Sequence, residues 1–422
     1  MSFANCLCAL RSDTNGAVAV IAAILFPVLI GAMGIGSEAG YWYLTQRKLQ
    51  HAADVSAHAA AVRKRAGDAT SGMAAAATHI AQESGLLAAG TVTVNSPPTS
   101  GALAGDANGI EVILTEMQPP LLSSLFLSAP VRLQGRAVVR LDATSQACVL
   151  ALSPAAPAAV KVSGSTTVTL NGCDVASNSS APDALTMAGG GSLTTDCAYT
   201  VGGAITSSSL SLQKCDSVRI GAPKTIDPYA DLEEPVATGA CNSKSNFNAD
   251  AILEPSYQSH PSGLPVMRFC SGLSVTGGKV TFKPGLYIIE SGSLSVNAGT
   301  VLTGAGVTFY FAKGAELKLN GGATVNLSAP TTGPYSGLLF FGSRGSSGIT
   351  HQVNGASGST FDGAIYFPAS GVEYSGRSGS TGGCTQIIGS TVTFTGNSDV
   401  RSDCIAKGAR AIVTDRSIKI VE

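Results

Sequence analysis

The sequence is short of charge. Asp, Glu, Lys and Arg make up 13% of its 422 residues and leave a net charge of −1, where a soluble domain carries roughly 25%. No Lys/Arg cluster is dense enough to follow a phosphate backbone, so no nucleic-acid partner is expected. Aromatic residues are only 6%. The ten cysteines contain no Cys-x-x-Cys pair, which argues against zinc ribbons and thioredoxin-like redox sites. No Gly-x-Ser-x-Gly elbow stands between a strand and a helix. The Gly-rich runs at Gly189–Gly191 and Gly202–Gly203 follow β text rather than opening helices, so they lack the context of a phosphate-binding loop. No cofactor is expected.

What is abundant is glycine, 50 residues, together with Ser, Thr and Val. This composition points to a turn-rich β body. Eight cysteines spread through that body, Cys148, Cys173, Cys197, Cys215, Cys241, Cys270, Cys384 and Cys404, are disulfide candidates in an oxidising compartment. Their connectivity is open, because eight cysteines allow 105 pairings. Cys6 and Cys8 stand apart, before the one long apolar run.

That run is uncharged from Thr14 to Ser37. Its core, Ala17 to Ile35, approaches the ~20 residues that cross a hydrocarbon layer as a helix. Pro27 is tolerable there, and Tyr41, Trp42 and Tyr43 suit the headgroup interface. The run exceeds a signal-peptide core, so a retained anchor is expected. Arg47 and Lys48 put more positive charge after the span than Arg11 puts before it, which by the positive-inside rule favours a cytoplasmic body. The cysteine-rich, charge-poor body argues the opposite, and that reading is preferred.

After the span the helix continues through the Ala-rich stretch Tyr43 to Arg65, and a second helix is expected from Ser71 to Glu83. Period-two alternation marks strands at Thr91–Asn95, Ile110–Thr115 and Val131–Leu141. Gln118-Pro119-Pro120 leads into an expected short apolar helix, Leu121 to Leu127. The chain thus divides into a tail (1–15), a transmembrane helix (16–37), a small helical and α+β domain (38–142) and an all-β body (143–422). In the body, strands of three to six residues recur every 8–12 residues. The fold class expected is a right-handed parallel β-helix, whose rungs bury their inner faces by stacking; a β-sandwich is the alternative. The segment Pro223 to Ser262 reads as an irregular excursion.

Candidate acids for glycoside chemistry are Asp174, Asp183, Asp196, Asp216, Glu290, Asp362, Glu373, Asp399 and Asp403, but none forms a paired motif of the kind two-carboxylate hydrolysis needs. Asp174, Asp196 and Asp216 adjoin cysteines and read as solvated turn residues beside disulfides, with a calcium or catalytic ladder as the alternative. His51 and His58 read as exposed helix positions.

The N-terminal text resembles the TadE/TadG-like proteins of Flp (tight-adherence, Tad) pilus assembly. The resemblance is carried by the Asn15-Gly16-Ala17-Val18-Ala19-Val20 start, the span with Pro27, then Glu38, Tyr41 and Tyr43, and finally Arg47, Leu49-Gln50 and Ala52-Ala53-Asp54 before the alanines. The motif residues are therefore Gly16, Pro27, Glu38, Tyr41, Leu49, Gln50 and Asp54. The resemblance implies a single-pass inner-membrane protein with a cytoplasmic N-terminus, whose partners are the membrane and other pilus-assembly proteins. Three departures are visible, one of them that the β-rich body is not part of the family pattern. Ile21 stands where TadE-type pseudopilins carry glutamate, which sets processing after Gly16 in question. Asp54-Val55-Ser56-Ala57-His58 lacks the second serine of a von Willebrand type A metal site, so no metal is expected. The function expected is a non-enzymatic component of Flp/Tad pilus assembly or surface adhesion, with a carbohydrate or surface ligand possible for its β body. The alternative is a membrane-anchored carbohydrate-active β-helix enzyme.

Overall fold

The computed structural model describes residues 16–356, 358–376, 384–401 and 404–422. The tail 1–15, with Cys6, Cys8, Arg11 and Asn15, and also Asp403, lie outside the described residues. The chain divides into two compact units, one ending at Asp142 and joined by Ser417–Glu422, the other Ala143–Arg416.

The first unit is built on helix α1, Gly16–Arg65, which contains Pro27. At 1.5 Å per residue, its 50 residues extend about 75 Å, so only part of it can lie in a membrane. Helix α2, Thr70–Glu83, and an antiparallel meander of β1 (Thr91–Asn95), β2 (Gly109–Gln118) and the start of β3 (Val131–Ala151) complete the unit. The C-terminal half of α1 buries Leu49, Ala52, Ala53, Ala57, Ala60 and Ala61 against Met73, Ala77 and Ala81 of α2 and Ile110, Val112 and Leu114 of β2. The alanines let the backbones approach closely. The approach is tightest at Gly135, where a Cβ would stand 2.5 Å from the Leu49 carbonyl oxygen. The expected helix at Leu121–Leu127 is instead one 3-10 turn, Leu122–Leu125. Seven residues are too few to nucleate a stable α-helix, and the amides of Leu121 and Ser123 donate elsewhere.

The second unit is a parallel β-helix. Leu273 pairs with Leu294 and Leu294 with Leu317, so one coil takes 21–23 residues. Its topology is not the simple winding that the sequence order suggests. The first coil, through Val149, Val160 and Val168, is followed by coils through Val175 and Ala198 on one side. On its other side it pairs with the last coil: Ile387 with Val149, Val392 with Val160, and Ser398 with Val168. The chain therefore enters the solenoid in its middle, winds to one end and returns. It restarts at Asn246 and winds back until its last coil meets its first. One buried ladder runs without a break through this junction: Tyr287, Phe309, Phe340, Ile365, Ile387, Val149, Val175 and Ala198. Aromatic rings stack along it, with Tyr287 and Phe309 centroids 5.1 Å apart.

The excursion expected over Pro223–Ser262 leaves the coils from Pro223 until the solenoid restarts at Asn246, and it has a structural role. It straps the outer face of one sheet and makes a second core of Tyr229, Tyr310, Phe341, Tyr366 and Ile388. Asn178 and the backbone of Thr225 exchange two hydrogen bonds of 2.8 Å. The Tyr366 hydroxyl donates to Asp227 at 2.8 Å, and the Tyr310 hydroxyl donates to Glu234 at 2.7 Å. Arg410 donates to Pro228 and Asp231. Both faces of that sheet are thereby buried, which explains its nearly continuous apolar strands, such as Leu338–Gly342 and Gly285–Ile289.

The eight candidate cysteines pair in sequence order, Cys148–Cys173, Cys197–Cys215, Cys241–Cys270 and Cys384–Cys404.

His351 lies wholly inside the solenoid, stacked 3.6 Å from Phe367. Its Nδ1 accepts the Leu317 amide proton at 3.1 Å, so the neutral ring carries its proton on Nε2, which has no partner. Burial pulls its pKa down to about 3 from 6.5. Folded and unfolded chains are equally neutral here above pH 6.5. Below it, only the unfolded chain takes up the proton, so stability is lost as pH falls. The slope approaches about 1.4 kcal/mol per pH unit, so on the order of 2 kcal/mol is lost between pH 6.5 and 4.5. Urea titrations at the two pH values should show this difference, and His351→Gln should remove most of it; an unchanged difference in the variant would contradict the assignment.

Candidate functional site

The motif residues of α1 fall into two groups. From Val20 to Ile35 the large apolar side chains are exposed, Phe26 at 66% and Met33 at 71%. Among the described residues one helix is long and apolar enough to cross a membrane, and this is its apolar end. Gly16 opens the helix and Pro27 sits inside it.

Beyond the apolar stretch, Glu38 is buried, only 4% exposed. Its carboxylate accepts the amides of Leu121 and Ser123, both at 2.6 Å, and the Ser123 hydroxyl at 2.9 Å. The acidic motif residue thus holds the 3-10 turn to the helix. Tyr41 is exposed, and Arg47 lies over the Tyr43 ring at 5.5 Å. Leu49 is core. Gln50 donates to the Arg136 carbonyl at 2.7 Å, accepts the Arg136 amide at 3.2 Å, and donates to Asp54 at 2.9 Å. The Leu49-Gln50-(x)3-Asp54 pattern is therefore the docking code of helix on strand. The sequence offered the residues but no sign of their strand partner.

Behind this contact Glu111 is buried and accepts from Asn95, Thr99, Ser100 and Arg136. Burial opposes its charge, but the hydroxyl and amide donors prevail and hold its pKa well below the usual carboxylate range. Arg136 also binds Glu422 at 2.5 Å, and Val421 donates to the Val138 carbonyl at 2.9 Å. The residues after Arg416 are thus tied into the first unit.

In the solenoid most of the candidate acids have committed partners. Asp174 and Asp196 are buried, not the solvated turn residues expected, and Asp174 opens a strand; burial raises the Asp174 pKa, and its carboxylate accepts from Ser145, Thr414 and the Cys197 amide. Asp196 repels it from nearby but pairs with Lys214 at 2.7 Å. Glu290 pairs with Arg268, Asp362 with Lys407, and Asp399 accepts from Asn171. Asp183 and Glu373 are half-buried and Asp216 is exposed. Asp54 is bonded within its helix, and His51 and His58 are exposed. Among the described residues, the one grouping of three potential metal ligands is Cys241, Cys270 and Glu290, and its two cysteines are the disulfide.

Sequence reasoning missed the surface grooves, which arise from stacking distant segments. One of ≈ 350 Å³ is lined by Ser295, Asn297, Lys318, Asn320, Gln352 and Asn354. Another, ≈ 520 Å³, lies under the strap and gathers Asp231, Glu233, Glu234, His260, Tyr335 and Arg410. In it Asp231 pairs with Arg410, Glu234 accepts from Tyr310 and the Arg344 amide, and both His260 nitrogens are engaged by Ser262 and Val236.

These features define a class: a protein with an exposed apolar N-terminal helix, a helix-on-meander unit and a strapped β-solenoid. Residues 16–63 match the model of the Tad family, the TadE/G-like proteins of Flp pilus assembly. The match ends where α1 ends, and the solenoid lies beyond it. No curated protein and no solved structure matches the chain.

Proposed function

We propose that the chain is a non-enzymatic, membrane-anchored component of Flp/Tad pilus assembly or surface adhesion. Its TadE/G-like helix is held in the inner membrane, with the tail cytoplasmic and the solenoid extracytoplasmic. The observation that carries this reading is the coincidence of the family match with an α1 whose apolar end is exposed and whose remainder docks a pilin-like meander. Four disulfides support the extracytoplasmic placement over the positive-charge count. The solenoid serves as a projecting spacer or binding surface, and its Asn- and Lys-lined groove suits a polar surface ligand such as a carbohydrate. Deleting the gene in its own organism should lower pilus number and surface attachment, with recovery on complementation. Wild-type piliation and attachment in the deletion strain would refute the assignment.

The enzyme reading has one observation in its favour, the three carboxylates in the groove under the strap. Two are neutralised or hydrogen-bonded, which leaves Glu233 without the acid–base partner that hydrolysis needs. Purified protein is expected to release no reducing ends from acidic or neutral polysaccharides; release that Glu233→Gln abolishes would establish the enzyme instead.

A further inference from the structure

The turn that Glu38 holds has no role in the functional reading. Between Glu116 and Arg132 the sequence is Met-Gln-Pro-Pro-Leu-Leu-Ser-Ser-Leu-Phe-Leu-Ser-Ala-Pro-Val, without a charge. Its large apolar side chains point outward: Leu121 is 64% exposed, Leu122 55%, Leu125 85% and Phe126 79%. A loop in water rarely presents four such side chains together. The loop meets α1 at one level. Leu122 packs so closely on Gly34 that a Cβ there would lie 2.7 Å from its Cδ1, and Glu38, one turn further along, takes the amides of Leu121 and Ser123. This is where the apolar stretch of the helix gives way to Tyr41 and Tyr43.

The backbone of the turn is also prepared for a medium without water. The amides of Phe126 and Leu127 both donate to the Ser123 carbonyl at 2.8 Å, and the Ser124 hydroxyl donates to the Leu121 carbonyl at 2.6 Å. With the three Glu38 bonds, six donors of the turn are satisfied within the protein. Unpaired backbone groups are what keep ordinary loops out of lipid.

We infer that Leu121–Leu127 is a second membrane contact, inserted into the interfacial layer of the leaflet from which α1 emerges. The partner is a lipid surface, and Glu38 is the positioning residue that holds the turn at interfacial depth. This fixes the first unit against the bilayer at two points, the helix and the turn. One helix alone would leave it free to swivel. The surface is continuous with the exposed apolar face of α1, which favours lipid over a second copy of the chain.

The inference rests on α1 spanning the membrane, so the test reads both. Trp42 is the only tryptophan. Full-length chain carrying Trp42→Phe, and in addition Phe126→Trp, Leu125→Trp or Ile24→Trp, is reconstituted into vesicles of phosphatidylethanolamine and phosphatidylglycerol. Fluorescence is then quenched with lipids brominated near the headgroup, lipids brominated near the chain end, or aqueous acrylamide. The Phe126→Trp and Leu125→Trp variants should lose about half their emission to shallow bromines and little to deep ones, as for side chains seated ~5–10 Å into the interface. Ile24→Trp should show the reverse. Adding Glu38→Ala should reduce shallow quenching at positions 125 and 126 at least about two-fold and leave Ile24→Trp unchanged. If Ile24→Trp is quenched by deep bromines while the turn variants respond only to acrylamide, the turn lies in water and the inference fails. If the turn variants are shielded from every quencher, protein covers the turn, and it fails equally. If Ile24→Trp also escapes lipid quenching, the spanning reading falls first and the inference with it.

Discussion

Exchanging all eight body cysteines for serine should unfold the solenoid at 37 °C, while the first unit, which contains none of them, keeps its structure. The four bridges close loops with sequence separations of 25, 18, 29 and 20 residues. Loop-closure entropy assigns each about 3 kcal/mol. Together they contribute on the order of 10 kcal/mol, comparable to the net stability of a whole domain. Their positions sharpen the effect. Cys148–Cys173 links the first coil to the second, and Cys384–Cys404 fastens the chain entering the last coil to the segment leaving it. These are the two coils that meet at the junction of Ile387 with Val149, where chain ends bring together strands more than 200 residues apart and no covalent turn supports the pairing. Losing Cys384–Cys404 alone should cost about 3 kcal/mol; losing Cys241–Cys270, which pins the strap to the coil bearing Arg268, should expose the face under Tyr229 and Tyr310 to protease before the remaining coils open. Circular dichroism and limited proteolysis of the single-pair and eight-cysteine variants measure both. Native-like melting of the eight-cysteine variant would show that stacking alone suffices.

Gly135→Val should be the most damaging single substitution in the first unit. A Cβ at this position would lie 2.5 Å from the Leu49 oxygen, 2.6 Å from its carbonyl carbon and 2.9 Å from the Gln50 nitrogen. All three are backbone atoms of α1, so no side chain can rotate aside. The strand must move away, which parts Gln50 from the backbone of Arg136 and opens the alanine packing of Ala52, Ala53 and Ala57. Overpacking of this kind costs about 1–3 kcal/mol, and the two Gln50 hydrogen bonds add about 1 kcal/mol each. A loss of about 3–5 kcal/mol is expected in denaturant titration of the detergent-solubilised chain. Gln50→Ala, which removes the hydrogen bonds without the clash, should cost about 2 kcal/mol. A Gly135→Val variant as stable as the parent would mean that helix and strand do not pack as described.

The helix, the three strands of the first unit and the solenoid class were legible because each rests on local pattern: an uncharged run, period-two alternation, short strands with glycine turns. The winding order was not. Val149 and Ile387 carry no mark that they are neighbours, since parallel stacking needs only apolar residues at matching heights and any coil could satisfy another. The strap hid for a related reason. Asp227, Tyr229, Glu234 and Arg410 look like loop residues until the sheet they cover is present. The motif residues were visible as a set, yet their work was not: Glu38 reads only as the acidic residue of the motif, and its amide partners at Leu121 and Ser123 show that it positions a turn. The same turn reads as a helix from its leucines, because sequence periodicity cannot register that its amides are taken by a distant carboxylate.

The proposed function holds the disulfide-bonded solenoid outside the cytoplasm by a TadE/G-like helix. A bulky, membrane-impermeant maleimide applied to spheroplasts tests it directly. The account predicts no labelling of the eight body cysteines before reduction and their labelling from outside once a reductant is added. Labelling without reductant, and only after the inner membrane is broken, would place the body and its free thiols in the cytoplasm and contradict the account.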